Sequence, residues 1–468
     1  MVLDIKFFLI LFNISYPMAQ DPNLLKTLFN AFNPFQPLKA DDPAYVNCQE
    51  VRGDGDIITE LGKEITYSDH PSCQLYAGHT GAGKSTELKR LEKYLKEQKF
   101  YVVYFAADEE DIDPEDAQHT DILLACTRHL LEDLKDKSNA ETLVDWLKNL
   151  GQVIQDLALT EISINDPKVE VGITQFAKLS AVLKAAPGSR QQIRQQIENH
   201  TPSLIEALNK FINEAKQTLS KDKYKGIVVI ADNLDRIARK FYDNGQRSNH
   251  DSIFIDRSEQ LRKLDCHTIY TVPLSMVYSD RATILEDKFG TIRVLPMIMV
   301  RTSDNNEYEP GIKKVIQLIE KRIKKVDSNL QLDKVFQDTD DLKLLCLMSG
   351  GHVRNLMLLM NIAIQKTSEL PITQKAIKRA ISDLRKTYRN GINEDEWQIL
   401  AKVHLSKKKP NNIEHQKLLA NRSILEYHSI ENDDIKPWYD IHPVIKDIEE
   451  FDLALQQEQK LREDRENE

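Results

Sequence analysis

The sequence predicts an α/β protein with a parallel-sheet core organised around a phosphate-binding loop, then an α-helical lid, then a small C-terminal winged-helix domain. Three observations predict it. Residues 78–86 read GHTGAGKST, a G-x-x-x-x-G-K-[ST] pattern between an apolar run at 74–77 and a helical pattern from Thr86 to Gln98. That is the strand, loop and helix context such a loop needs. Residues 226–236 carry an apolar run into Asp232, with a second acid at Asp235. Finally, five strand-like runs alternate with helical ones before a helix-rich basic stretch begins at Pro310, the order of a parallel sheet covered on both faces.

A chain of 468 residues exceeds what one hydrophobic core serves, so several domains are expected. With 41% apolar and 29% charged residues the composition is that of a globular protein. The net charge of −10 excludes a uniformly basic nucleic-acid coat but leaves room for a local basic face. Cys48, Cys73, Cys126, Cys266 and Cys346 are widely spaced, odd in number and without a C-x-x-C pair. Free thiols in a reducing compartment follow, with neither a disulfide framework nor a metal cage. The apolar run 7–12 after Lys6 is too short to span a bilayer. Asp4 lies ahead of it and Met18 offers a later start, so residues 1–45 read as an N-terminal extension of a cytoplasmic protein rather than as a secretion signal.

Within that extension, residues 19–45 mix Asn, Pro, Phe and Asp and suit a segment draped over a domain surface, or an arm that docks a partner. The core domain is expected over 46–305. Arg52, Gly53 and a helical pattern of Ile57, Ile58, Leu61 and Ile65 lead into the first strand. Residues 100–105 form the second, which runs into Asp108, Glu109 and Glu110. Those carboxylates belong either to a solvated loop or to the carboxyl edge of the sheet, where ligands bind. Residues 115–222 read as a mainly helical insertion, clearest at 122–134 and 201–219, with a small hairpin in the alternating runs 161–164 and 169–173. The third strand ends at Asp232, and the runs 267–273 and 291–300 supply the fourth and fifth. Thr271 stands at a strand end, as a sensor of a terminal phosphate or as a core-edge threonine.

The lid is expected over 306–390. Residues 310–390 hold 16 basic and 8 acidic side chains, and Ser349-Gly350-Gly351-His352-Val353-Arg354 breaks and restarts a helix. Residues 391–450 show two helical patterns, then two β-rich runs around Asn432-Asp433-Asp434, the order of a winged helix. Residues 451–468 read as a charged tail in the form of a fraying helix.

The phosphate loop carries the chemistry. Gly78, Gly81 and Gly83, with His79, Thr80 and Ala82 between them, let successive N–H groups turn inward around an anionic oxygen. The helix that opens at Lys84, Ser85 and Thr86 adds its positive end, and Lys84 adds a mobile charge. The Ser85 hydroxyl is a Mg²⁺ ligand by type. Asp232, delivered by a buried strand, is the second candidate metal ligand, and Asp235, one turn on, is placed to orient or deprotonate an attacking water.

With these parts in order, the chain resembles the AAA+/STAND branch of P-loop NTPases. Within that branch it is similar to proteins built as nucleotide domain, helical lid and winged helix, including origin-recognition-type initiators and STAND signalling ATPases. The resemblance covers residues 46–446. It implies that GHTGAGKST is a Walker A motif and that VVIADNLDR is the STAND form of Walker B, giving Asp232 to the metal and Asp235 to the water. Asn233 stands where classical AAA+ proteins place Glu, which implies slow hydrolysis. The resemblance further implies ATP or ADP with Mg²⁺ as cofactors. It implies an adenine contact near Arg52, although the Arg and Gly of that box are reversed here. From the lid, Arg354 in GGHVR would contact the β- or γ-phosphate, and from the winged helix, His442 in Tyr439-Asp440-Ile441-His442-Pro443 would contact the ADP β-phosphate. Arg293 and Arg301 are the arginines available as a finger toward a neighbouring subunit.

Two functions of different class follow. The first is a nucleotide-controlled switch that changes conformation, or becomes a homo-oligomer in the ATP state. It would act in bacterial antiviral defence or stress through a separate effector protein, since the sequence carries no nuclease, protease or pore motif. The second is a DNA-loading or remodelling ATPase of the initiator or transposition type. The basic lid and Lys407-Lys408-Lys409 motivate it; the acidic wing turn and the negative net charge oppose it. No membrane partner is expected.

Overall fold

The computed structural model describes residues 22–156, 174, 176–181, 183, 187–242 and 247–466. The run 7–12, Met18 and the hairpin expected at 161–173 lie outside these residues. Strands β1 (Cys73–Gly78), β2 (Phe100–Ala106), β3 (Gly226–Asp232), β6 (His267–Thr271) and β7 (Arg293–Leu295) form one parallel sheet in the order β2-β3-β6-β1-β7. Between them β4 (Phe241–Tyr242) and β5 (Arg247–Ser248) make a short antiparallel ribbon.

Period-2 alternation assigns the two faces of the sheet. Val102, Val228, Ile230 and Ile269 face the phosphate-loop helix Lys84–Glu97 through Leu88, Leu91 and Leu95. Val103, Phe105, Ile227 and Val229 face the helices His119–Leu134 and Pro187–Lys221. The second of these begins earlier than the pattern from Thr201 suggests and runs through Pro202. Buried Ile193 and Ile197 extend the apolar stripe of Leu204, Leu208 and Phe211 back past the proline, and packing along the stripe offsets the lost backbone hydrogen bond.

The run 291–300 is a strand only at Arg293–Leu295. Pro296 has no N–H to continue the ladder, and beyond it the chain pairs elsewhere. The Met297 N–H donates to the Glu426 carbonyl (2.9 Å) and the Met299 N–H to the Val51 carbonyl (2.9 Å). The sheet is thereby tied to the winged helix and to the segment that precedes β1.

The lid comprises Glu309–Val326, Leu332–Val335, Thr339–Met348, Val353–Gln365 and Gln374–Asn390. The N-terminal helix Pro22–Ala31 packs on the first and fourth of these. Leu28 and Phe32 are fully buried, so only the chain after Phe32 drapes as the composition suggested. The winged helix is Glu396–Ser406, Ile413–Ala420 and a hairpin of β8 (Ile424–Glu431) and β9 (Asp434–Ile441). Asn432 and Asp433 have φ of 54° and 62°, both left-handed, as a two-residue type I′ hairpin turn requires. The charged helix expected beyond Phe451 spans Glu449–Glu466 and is docked on Glu396–Ser406. Phe451 and Ala454 bury an apolar face that a charge-rich reading overlooks. Among the described residues no helix is long and apolar enough to cross a membrane, and all five cysteines are free thiols.

Candidate phosphate-binding site

Parallel register sets Gly78 beside Leu295, Tyr76 beside Thr271 and Ala106 beside Asp232. The phosphate loop and Asp232 therefore meet at the carboxyl edge of the sheet. Five consecutive loop carbonyls each have a donor. Lys84 Nζ donates to the Gly78 carbonyl (2.8 Å) and the His79 carbonyl (3.1 Å). His352 Nε2–H donates to the Thr80 carbonyl (2.9 Å) and the Arg354 N–H to the Gly81 carbonyl (3.1 Å). Arg52 Nη2 donates to the Ala82 carbonyl (2.8 Å). In a planar trans peptide the following N–H points opposite to its carbonyl. Holding the Thr80 and Ala82 carbonyls outward thus turns the N–H groups of Gly81 and Gly83 inward, beside the first-turn N–H groups of Lys84 and Ser85. Two of the donors that hold the loop come from the lid. Gly81 sits at φ +92°, where an added Cβ would stand 2.8 Å from both Arg354 Cβ and His352 Cε1.

The tautomer of His352 follows from its neighbours. Its Nδ1 accepts the Asn355 N–H (3.0 Å) as an N-cap, so Nε2 carries the proton given to Thr80. Full burial, with the Arg422 charge nearby, holds this imidazole well below the ordinary histidine pKa.

The Lys84 ammonium is buried, and its third acceptor is Asp235 Oδ2 at 2.9 Å. Asp235 also accepts from the Thr80 hydroxyl (3.3 Å). Asp232 Oδ2 accepts from the Tyr104 hydroxyl (2.7 Å) and Oδ1 from the Asn233 N–H (2.7 Å), with the Ser85 hydroxyl a further partner. Burial, then repulsion from Asp235, raises the Asp232 pKa against those hydrogen bonds. Burial and the Asp232 charge push the Tyr104 phenol up, so it stays a donor. Asn233 takes a left-handed φ of 66° and gives its amide to Asp108 (2.7 Å). The buried Thr271 hydroxyl accepts the Leu234 N–H (2.9 Å), holding the turn that presents Asp232 and Asp235.

A cavity of about 560 Å³ opens beside the loop, between Asp232, Asp235, the lid residues Arg354 and Met357, and the arm residues Phe35 and Leu38. Arg354 lines it while its Nε donates to the Pro34 carbonyl (3.3 Å), and the Leu38 N–H reaches the Thr86 hydroxyl (3.3 Å). The arm crosses the mouth of the loop. Glu109 and Glu110 line the same cavity.

Two site residues expected from the sequence fall elsewhere. Arg52 lies behind the loop, its guanidinium taken by the Ala82 and Pro296 carbonyls. It lines a separate cavity of about 20 Å³ with Cys48, Glu60 and Tyr76. His442 is fully buried one layer back, stacked on Tyr388 at 4.3 Å between centroids, with Nε2 2.8 Å from Asn355 Nδ2. Hydrogen bonds link it to the loop through Asn355 and His352. Arg301 gives its guanidinium to the Asn305 carbonyl of its own turn (3.0 Å), and Arg293 lies near Glu60. Sequence reasoning missed Tyr104 and the lid contact of His352. A polar residue near the end of an apolar strand, and a histidine at a helix start, were the available signals.

No protein-family model matches the sequence, and no curated protein does. Solved structures do. The Walker-type ATPase of Pyrococcus abyssi is 11% identical, with 91% of this chain and 99% of that one covered, at a TM-score of 0.42. Aeropyrum pernix ORC2 in its ADPNP-ADP complexes is 11% identical, with 92% and 98% covered, at 0.39. Drosophila ORC bound to DNA is 10% identical, with 92% and 91% covered, at 0.38.

Proposed function

We propose that the chain is a Mg²⁺-dependent, slowly hydrolysing ATP/ADP switch, in which nucleotide in the phosphate loop governs how lid and winged helix sit on the core and, through them, oligomeric state. One observation carries this reading: the loop is shared by three parts of the chain. The lid holds two of its carbonyls, and its own His79 accepts the N–H of Glu426 in the hairpin (3.1 Å). A ligand that changes the loop acts on both neighbours at once. The inward N–H groups and the 560 Å³ cavity suit a nucleoside phosphate. Ser85 and Asp232, hydroxyl beside carboxylate, are hard oxygen donors fit to hold Mg²⁺, which supplies charge neutralisation at the phosphates. Asn233, an amide tied to Asp108, offers no base where a carboxylate would activate water, in keeping with slow turnover, and Asp235 is paired with Lys84. The separate effector, the defence role and the cytoplasmic setting rest on the resemblance to STAND ATPases and on the thiol pattern.

Lys84→Ala is expected to weaken ATP and ADP binding about 10- to 100-fold, the scale of one buried charged hydrogen-bonding group, and to make oligomeric mass independent of nucleotide. Calorimetric titration and light scattering measure both. A wild-type mass distribution identical with ADP, ATP and an ATP analogue would count against the switch.

The DNA reading is the weaker one. Lys407 pairs with Asp440 (2.8 Å) and Lys409 lies over the Tyr278 ring (4.1 Å), its pKa brought down to about 8 by burial. The second helix of the wing docks on the core, with Gln416 bonded to Arg239 and to the Tyr278 carbonyl. Salt-dependent DNA binding that falls on charge removal at Lys407, Lys408 and Lys409 would favour it. Absence of binding at low ionic strength would end it.

A further inference from the structure

We propose that His79, the second residue of the phosphate loop, is the positioning residue through which loop occupancy reaches the winged helix; the inference rests on the nucleotide reading above. The His79 side chain is 2% exposed and enters the winged helix between two of its elements. Its Nε2 accepts the Glu426 N–H of β8 (3.1 Å), and the Leu419 backbone of the preceding helix lies beside the ring. Glu426 has little play. Its carbonyl accepts the Met297 N–H (2.9 Å), and its carboxylate is held by the Tyr278 hydroxyl and by His428 Nε2 (2.8 Å). A shift of His79 is therefore passed on to the hairpin rather than absorbed by it.

What would shift His79 is on its main chain. The Lys84 ammonium has three protons, and all three are committed, to Gly78, His79 and Asp235 at 2.8, 3.1 and 2.9 Å. A phosphate oxygen that draws on Lys84 must displace one of them. Gly78 ends β1 and is held in the sheet beside Leu295, so the contacts open to exchange are the His79 carbonyl and Asp235. Either exchange acts on the loop: the first leaves the His79 carbonyl with the Ala82 N–H (3.1 Å) as its remaining donor, and the second releases Asp235 from Lys84, its other partner being the Thr80 hydroxyl. One lysine thus links an anion in the nest to the residue that holds the hairpin.

The test compares protease cleavage in the 391–395 connection between lid and winged helix, without nucleotide and at saturating ADP or ATP analogue, saturation being checked by titration for each variant. In the wild type, nucleotide is expected to change the cleavage rate about fivefold or more, the lower end of ordinary coupling between sites. His79→Ala should bring the ratio to within about twofold, and His79→Gln, whose amide oxygen can accept the Glu426 N–H, should restore most of it. His79→Asn, polar but too short to reach, stands in if the alanine variant fails to fold. The inference is overturned if His79→Ala or His79→Asn keeps the wild-type ratio, or if the wild type binds nucleotide without any change in cleavage. Failure of the nucleotide reading looks different: neither the wild type nor Lys84→Ala binds ADP or ATP, and the inference falls with it.

Discussion

Gly351→Ala is expected to unseat the lid from the core, at a cost of about 3–5 kcal/mol to that docking, as backbone strain and steric overlap add. A Cβ built at Gly351 would lie 1.8 Å from the Ile298 carbonyl oxygen, and the residue holds φ +71°. On the other side of the same segment, a Cβ at Gly311 would lie 1.5 Å from the Met299 carbonyl oxygen. The chain leaving β7 is thus gripped between two glycines of the lid, and neither contact leaves room for a methyl group. Because Gly351 precedes His352 and Arg354, the substitution also withdraws the clamps on the Thr80 and Gly81 carbonyls. Nucleotide affinity should therefore fall together with lid protection in hydrogen exchange. Gly391→Ala is the control: its nearest neighbour is 3.5 Å away at a negative φ, and both readouts should stay near wild type. Wild-type lid protection in Gly351→Ala would disprove the close approach.

The difference between these two glycines is invisible in the sequence, and it marks where sequence reasoning stops. The loop, Asp232 and the five alternating strands are legible because each depends on neighbours within a few residues: a glycine spacing, an apolar run, a change of period. The nest's supports are not. His352 meets Thr80 across 272 residues, Arg52 meets Pro296 across 244, and His79 meets Glu426 across 347. No local pattern encodes such pairings. The motif marks His79 as a variable position, yet it is a buried interdomain contact. GGHVR directs attention to its arginine, whereas the histidine caps a helix and clamps the loop with its two ring nitrogens. Lysine 407 and its neighbours fail for the same reason in reverse: three consecutive cations look like a surface patch until Asp440 and Tyr278 are seen beside two of them. Arg52 sits at the right point in the chain for a base contact, but its direction is set by two carbonyls that only the fold brings near.

Acid should open the junction of loop, lid and winged helix well before it attacks ordinary surface contacts. His79 and His442 are fully buried, and burial, with the charges of Lys84 and Arg422 beside His79 and of Arg422 beside His442, pushes both down to about 3; His352 lies well below its ordinary value for like cause. Exposed by opening, each returns to about 6.5 and takes up a proton. The folded pKa is the depressed one, so the open form binds more protons below pH 6.5, and docking loses stability as pH falls from there toward 3. At pH 5 the cost is about 2 kcal/mol for each of His79 and His442, roughly 4 kcal/mol together, comparable to the whole margin of a docked domain. Trp438, stacked on Tyr427 at 4.4 Å in the hairpin, sits in the docked interface and offers an optical probe. Its emission should move to longer wavelength between pH 6 and 4.5, with a shallower slope in His79→Gln, which has one proton fewer to take up. An emission unchanged down to pH 4.5 would mean that the histidines stay buried and neutral, and that the hairpin is held by something stronger than these contacts.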